Sequence, residues 1–281
     1  MKKWLRDQLN NKWREGYGRS KNKGVHNETP YIHSENTYNT YLAQCNHFAE
    51  WCKERGVYDY REAYKLVADY GDHLKSEGKS AWTIYTAISA IAKAYGVSTT
   101  AFGFKPPKRE RKDVKRSREY VERDRHFSIK NNKELVVFAQ CTGLRRHEMA
   151  ALKGNQLSMD ENGKLYLFHI KGKGGKVRNI DVIGSDTEIK LIKNMMQRAG
   201  EGLVFNTIHG AFDEHYYRSL YACRAYKKVA RNISELDSED KYVCRKDKAG
   251  IVYDRNAMRY ASRQLGHERI DVIASSYLYN L

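Results

Sequence analysis

The sequence predicts a mainly α protein with a small antiparallel β-sheet, an α+β fold arranged in two domains. Three observations carry this. Apolar residues recur at helical spacing over most of the chain. One pair of short segments, Leu165 to Ile170 and Val177 to Ile183, reads as strands flanking a Gly-rich turn. The 281 residues exceed what one ordinary domain of roughly 100 to 200 residues needs. With only 3 Pro to break helices and 21 Tyr to pack on them, the chain is expected to be folded, not disordered.

Residues 1 to 33 are rich in Lys, Asn and Gly and weakly periodic, which suggests a basic arm or one short helix. Because Met1 to Arg6 is followed by Asp7, Gln8, Asn10 and Asn11, not by an apolar run, no signal peptide is expected. From 34 to 104 the helical period is clear: Tyr38, Tyr41, Leu42, Cys45, Phe48 and Trp51; then Ala63, Leu66, Val67, Tyr70 and Leu74; then Trp82, Ile84, Tyr85, Ile88 and Ile91. Ser34, Asn36 and Ser80 read as caps, and Gly56 and Gly78 as stops. Residues 105 to 118, which begin Lys105-Pro106-Pro107 and continue as a run of like charges, read as an extended basic linker, either solvated or a strap laid on the phosphates of a polyanion.

The pattern after the linker, from 119 to 281, is mixed. Helices are expected from Glu134 and from Arg146, then the strand pair joined by Lys171-Gly172-Lys173-Gly174-Gly175-Lys176, then helices from Glu188 onward, broken by a polar stretch from Ser234 to Gly250. No internal repeat or low-complexity tract is present.

Lys and Arg number 51 against 34 Asp and Glu, a formal charge of +17, which sets up a field attractive to a polyanion. Nucleic acid is therefore the leading partner, ahead of an anionic membrane surface, and no stretch is long and apolar enough to span a bilayer. Cysteines 45, 52, 141, 223 and 244 are odd in number and contain no C-x-x-C pair, so neither a disulfide framework nor a structural zinc site is suggested, and a reducing cytoplasm fits.

Cleaving a DNA phosphodiester requires charge on the non-bridging oxygens to be neutralised, a nucleophile in line with the leaving oxygen, and a proton for that oxygen. Arginine suits the first task because its planar fork holds two oxygens and stays charged. Lysine suits the last, since neighbouring cations lower its pKa. A tyrosine nucleophile conserves the bond energy in a phosphotyrosine, so rejoining needs no ATP. The sequence also lacks Asp and Glu at metal-ligand spacing, so no metal or other cofactor is expected.

Four segments carry a resemblance to the tyrosine recombinases, the phage and transposon integrase family. Thr142-Gly143-Leu144-Arg145-Arg146-His147-Glu148-Met149 is similar to the first box, T-G-x-R-x-x-E-[LM]. This implies that Arg145 binds the scissile phosphate while Glu148 buttresses the loop. The plain alternative is a helix N-terminus capped by Thr142 with Arg145 on the surface. The turn from Gly172 to Arg178 is similar to the hairpin of the catalytic lysine, which aligns with Lys173; Lys176 is the alternative. His215-Tyr216-Tyr217-Arg218-Ser219-Leu220-Tyr221-Ala222 resembles H-x-x-R-x-x-[YF]-A, implying a second clamp at Arg218 and a phosphate or proton role for His215, both on one helical face. Leu265-Gly266-His267, with Ser276-Tyr277-Leu278 downstream, resembles the third box: His267 would hydrogen-bond the phosphate and Tyr277 would be the nucleophile, with Tyr279 a nearby competitor.

The resemblance covers residues 119 to 281 as a catalytic domain, and residues 34 to 104 only by architecture, as a helical core-binding domain. It implies a site-specific recombinase that forms a 3′-phosphotyrosine on double-stranded DNA and assembles on DNA as a homo-tetramer, with an accessory DNA-bending protein as a further partner. Two departures stand out. The interval from Ala222 to Arg263 is longer than usual, which makes Arg255 and Arg259 alternatives to the second box. Only Leu278 to Leu281 follow the nucleophile, so subunit contact is expected from the segment bearing Tyr277 or from the inserted stretch. A type IB topoisomerase and a non-catalytic DNA-binding protein are the competing functions.

Overall fold

The computed structural model describes residues 1–14, 29–110, 113–172, 175–245 and 248–281. The chain divides into two compact units, Met1–Glu110 and Arg111–Leu281.

The first unit is helical: α1 (Lys2–Asn11), α2 (Glu35–Lys53), α3 (Tyr60–Lys65), α4 (Val67–Ser76) and α5 (Ala81–Tyr95). Within residues 1 to 33, α1 buries Leu5 and Leu9 against α2 and α5, and Trp4 stacks on Tyr60 with ring centroids 4.2 Å apart. Ser34 and Ser80 cap α2 and α5 by accepting from the backbone N–H of Thr37 and Thr83, as their positions before the periodic runs suggest. The run from Ala63 to Leu74 is two helices, not one. Asp59 caps the first, and the chain breaks at Leu66 with no Gly or Pro to mark it. Gly71 lets α4 meet Phe104, since a Cβ there would lie 2.5 Å from the ring.

The second unit contains α6 (Lys133–Thr142), α7 (Arg146–Ala150), β1 (Leu157–Met159), β2 (Leu165–Lys171), β3 (Val177–Asp181), α8 (Asp186–Ala199), α9 (Glu214–Val229), β4 (Lys241–Val243), β5 (Val252–Asp254), α10 (Arg255–Gln264) and α11 (Asp271–Ser276). The first three strands form one antiparallel sheet in the order β1-β2-β3, and β4 pairs with β5. The fold is thus mainly α with small antiparallel sheets, as the sequence predicts. Helix α9 lies at the centre, packed on α6 and α10. Around it Phe138, Leu144, Leu167, Ile180, Ile192, Tyr221 and Met258 are almost fully enclosed. Each such side chain contributes roughly 1.5–3 kcal/mol.

Like-charge repulsion does not keep the basic run extended to its end. Lys115 to Arg118 forms a turn on the second unit, with Ser117 at φ 71° and its hydroxyl donating to Asp213 at 2.8 Å. Arg116 donates to the Ala211 carbonyl and Arg118 to that of Ser275. All five cysteines are buried. No helix among the described residues is long and apolar enough to cross a membrane.

Candidate active site

Helix α6 ends in a turn that only glycine permits. Gly143 takes φ 58°, and a Cβ on it would lie 2.4 Å from Tyr221 Cδ1 and 2.9 Å from Leu265 Cδ2. The turn buries Leu144 and makes Arg145 the N-cap of α7. Thr142 does not cap that helix. Its hydroxyl donates back to Phe138 O at 2.7 Å, and the open backbone N–H of Arg145 instead donates to Glu148 Oε2 at 2.9 Å. Glu148 is thereby the buttress that the first box implies.

Glu148 also joins two guanidinium groups. Its Oε1 accepts from Arg145 NH1 at 3.0 Å, and Arg178 on β3 donates bidentately at 2.9 Å to each oxygen. The Glu148 side chain is 0 % exposed. Burial alone would raise its pKa, but the Arg178 hydrogen bonds, the Arg145 N–H and the charges of Arg178 and Arg218 outweigh burial and hold it at about 2. Arg178 lies at the end of the Gly-rich segment and holds no position in the motif boxes. Its signal was parity: in a strand it shares a face with Ile180, which is wholly buried, so a basic residue faces the core. Arg178 Nε is further fixed by Gln264 O at 3.1 Å, and Gly172 and Gly266 leave room for its guanidinium.

The H-x-x-R pair starts α9, capped by Asp213. Arg218 is 0 % exposed and ties the first box to the third, donating from NH1 to Gly143 O and from NH2 to Leu265 O at 3.2 Å. Its Nε is buried and has no hydrogen-bond partner among the described residues. The guanidinium carbon lies 5.6 Å from the centre of the Tyr277 ring. One turn earlier, His215 is exposed. Desolvation in the crowded site depresses its pKa; Glu214 and Asp213 oppose this, while Arg218 and Arg145 add to it.

The third box is a helix C-cap. Gly266, at φ 69°, donates to Arg263 O and His267 N–H donates to Ser262 O, both at 2.9 Å, the paired bonds of a Schellman turn that ends α10 and aims His267 inward. His267 Nε2 lies 3.3 Å from the Tyr277 phenol oxygen. Desolvation, then the charges of Arg218, Arg145 and Arg178, lower the His267 pKa to about 4, so the imidazole is neutral near pH 7. Tyr277 is 5 % exposed at the end of α11.

Five of the six expected residues therefore belong to one neighbourhood; Lys173 lies outside the described residues. Lys176 forms an exposed ion pair with Glu268. Arg255 donates to Lys241 O and Arg259 to Asn256, so neither is hydrogen-bonded to a site residue. Tyr279 faces elsewhere: it lines a cavity of about 600 Å³ with Tyr226, Lys248 and Tyr253, and burial pushes its phenol up to about 12. Arg145 and Arg178 share the buried carboxylate of Glu148, and Arg218, bonded to backbone carbonyls, adds a further charge that leaves the surroundings of a phenol and a neutral imidazole net positive. That arrangement suits a phosphate diester. Among the described residues no group of three or more His, Cys, Asp or Glu could hold a metal ion.

No protein-family model matches the chain, and no curated protein matches it. Solved structures do. The site-specific recombinase XerH bound to palindromic difH substrate in a post-cleavage complex has a TM-score of 0.54 at 14% identity, covering 99% of this chain and 90% of that one. XerH in its pre-cleavage complex with difH scores 0.49 at 14% identity, over 99% and 92%. The Tn1549 transposon integrase in complex with circular intermediate DNA scores 0.43 at 12% identity, over 84% and 95%. These neighbours are tyrosine recombinases, and the likeness to the first is one of fold.

Proposed function

We propose that the chain is a tyrosine recombinase, a site-specific integrase that cuts and rejoins double-stranded DNA through a 3′-phosphotyrosine, without metal or ATP. The observation that supports it most is the meeting of Arg145, Arg218, His267 and Tyr277, from three motif boxes far apart in sequence, around the His267–Tyr277 contact.

In this reading Arg145 and Arg218 hold the non-bridging oxygens and offset the charge that grows on them in the transition state. The Tyr277 phenol oxygen attacks phosphorus, the bond from phosphorus to the 5′ oxygen breaks, and the phenol proton passes to the neutral His267 Nε2, 3.3 Å away, as the new bond forms. Lys173 gives the departing 5′ oxygen its proton, and His215 and His267 hydrogen-bond the phosphate and the phenol. The reverse step, with a 5′-hydroxyl from a second duplex, completes exchange; Arg178 and Glu148 keep Arg145 aimed.

The helical unit of residues 34–104 and the catalytic unit both bind the duplex, the basic run adds contacts to its phosphates, and four protomers assemble on two sites with an accessory DNA-bending protein. The charge of +17 supports the DNA partner.

The test is covalent capture. Wild-type protein incubated with a randomised pool of nicked duplexes forms a denaturant-resistant DNA adduct whose linked peptide contains Tyr277, and EDTA leaves its yield unchanged. An adduct mapped to another residue, or cleavage abolished by EDTA, refutes the reading.

A further inference from the structure

The long interval between Ala222 and Arg263 contains the β4–β5 hairpin, and that hairpin reaches the segment bearing Tyr277. Lys248, between its two strands, donates from Nζ to the carbonyl oxygens of Ala274 at 2.8 Å and Leu278 at 3.4 Å. Tyr253 Oη on β5 donates to the same Leu278 carbonyl at 3.3 Å. The bonded carbonyls lie three residues before Tyr277 and one after it.

The base of the hairpin is fixed. Arg231, just past α9, donates from Nε to Asp254 Oδ2 and from NH2 to Asp254 Oδ1, both at 2.8 Å. Asp254 is fully buried, donates its backbone N–H to Tyr226 Oη at 2.9 Å, and caps α10 by accepting from Asn256 and Ala257. The hydrogen bond from the Arg231 fork holds the Asp254 carboxyl far below the usual range, against the effect of burial. One frame therefore runs from α9, which carries Arg218, through the hairpin to the backbone on both sides of Tyr277.

That segment needs outside support. Helix α11 has 6 residues, well short of the length at which a helix holds itself together in water. Its last carbonyls carry the negative end of the helix dipole and lack intrahelical partners, the place where an ammonium is most favourable.

We propose that the inserted β4–β5 hairpin is a positioning device for the nucleophile: Lys248, assisted by Tyr253, pins the backbone on either side of Tyr277 so that the phenol stays at His267 and Arg218 within its own chain. The inference rests on the reading of Tyr277 as the nucleophile.

The experiment uses the full chain and the variants Lys248→Met, Lys248→Arg and Tyr253→Phe, each first checked by thermal melting. Two quantities are read: amide hydrogen exchange over residues 274–281, which needs no activity, and the rate of adduct formation at saturating DNA, with DNA affinity measured beside it on a duplex captured by the wild type. Lys248→Met raises exchange in that segment and slows adduct formation roughly 10- to 100-fold, the size expected for a misplaced reacting group. Affinity stays within about twofold, since no phosphate contact is touched. Lys248→Arg restores both, and Tyr253→Phe moves both in the same direction by less.

Wild-type exchange and rate in Lys248→Met overturn the proposal. So does a loss of affinity and rate together that Lys248→Arg fails to rescue. If the wild type forms no adduct on any duplex, the proposed function fails instead, and the exchange measurement alone decides whether the hairpin holds the segment.

Discussion

Replacing Glu148 by Gln removes one charge and keeps the shape, and the structure fixes how large the effect is. The carboxyl titrates at about 2 in the folded protein in place of 4.5, despite the burial that opposes ionisation. At 1.36 kcal/mol per tenfold, that difference is worth roughly 3 kcal/mol of folding stability. Solvent screening takes little from it because the side chain is 0 % exposed. The folded carboxyl binds its proton more weakly than the unfolded one, so this stability is complete above the unfolded value of 4.5 and is lost as the pH falls toward 2. In Glu148→Gln the amide NH2 faces the Arg178 and Arg145 donors, and both guanidiniums lose their counter-charge. For a unit of this size, with about 2–4 °C per kcal/mol, the melting temperature at pH 7 drops by roughly 6–12 °C. Melts followed by circular dichroism at pH 7 and pH 3 measure it. The gap between variant and wild type shrinks by more than half at the lower pH. A gap under about 2 °C at pH 7, or one of equal size at both pH values, refutes the reasoning.

Tyr277→Phe keeps DNA affinity and abolishes the covalent adduct, read by electrophoretic shift beside denaturing gels; retained adduct on the variant places the nucleophile elsewhere. Gly143→Ala combines left-handed backbone strain with overlap against Tyr221 and costs about 2 kcal/mol or more in urea unfolding. Gly163→Ala, at φ 77° with nothing within 4 Å, costs only about 1 kcal/mol. His267 resists protonation in the fold, so the unfolded chain takes up a proton that the folded chain refuses, and stability falls as pH drops from about 6.5 toward about 4. His267→Gln removes that part of the acid sensitivity, and the imidazole C–H resonances of His267 show no titration between pH 8 and pH 6.

The helical unit was legible because apolar period and caps agree: Ser34 and Ser80 stand immediately before runs that bury Phe48 and Ile88. The break at Leu66 was not, since no glycine or proline announces it and burial on both sides keeps the period running. Strands β2 and β3 were readable from the glycine turn, whereas β1, β4 and β5 have 3 residues each, too few to establish an alternation. In the site, motif residues that sit close in sequence were found together. Arg178 was missed because its partner Glu148 lies 30 positions away, and the pair exists only once β3 packs beside α7. The long second interval looked like an obstacle to grouping Arg218 with His267. A hairpin occupies it, and an antiparallel hairpin brings the chain back to where it left.

Burial of the cysteines has a practical consequence. Thiol reagents attack the thiolate, and burial raises the thiols of Cys45 and Cys141 to about 12, so labelling waits on opening of the fold. Cys45 and Cys52 belong to the helical unit, and Cys141, Cys223 and Cys244 to the other. The unaltered chain thus carries a separate clock for each unit. Cys223 is the most informative of them: its sulfur lies 3.8 Å from the Tyr277 carbonyl oxygen, so its labelling rate times the departure of the tyrosine from its seat.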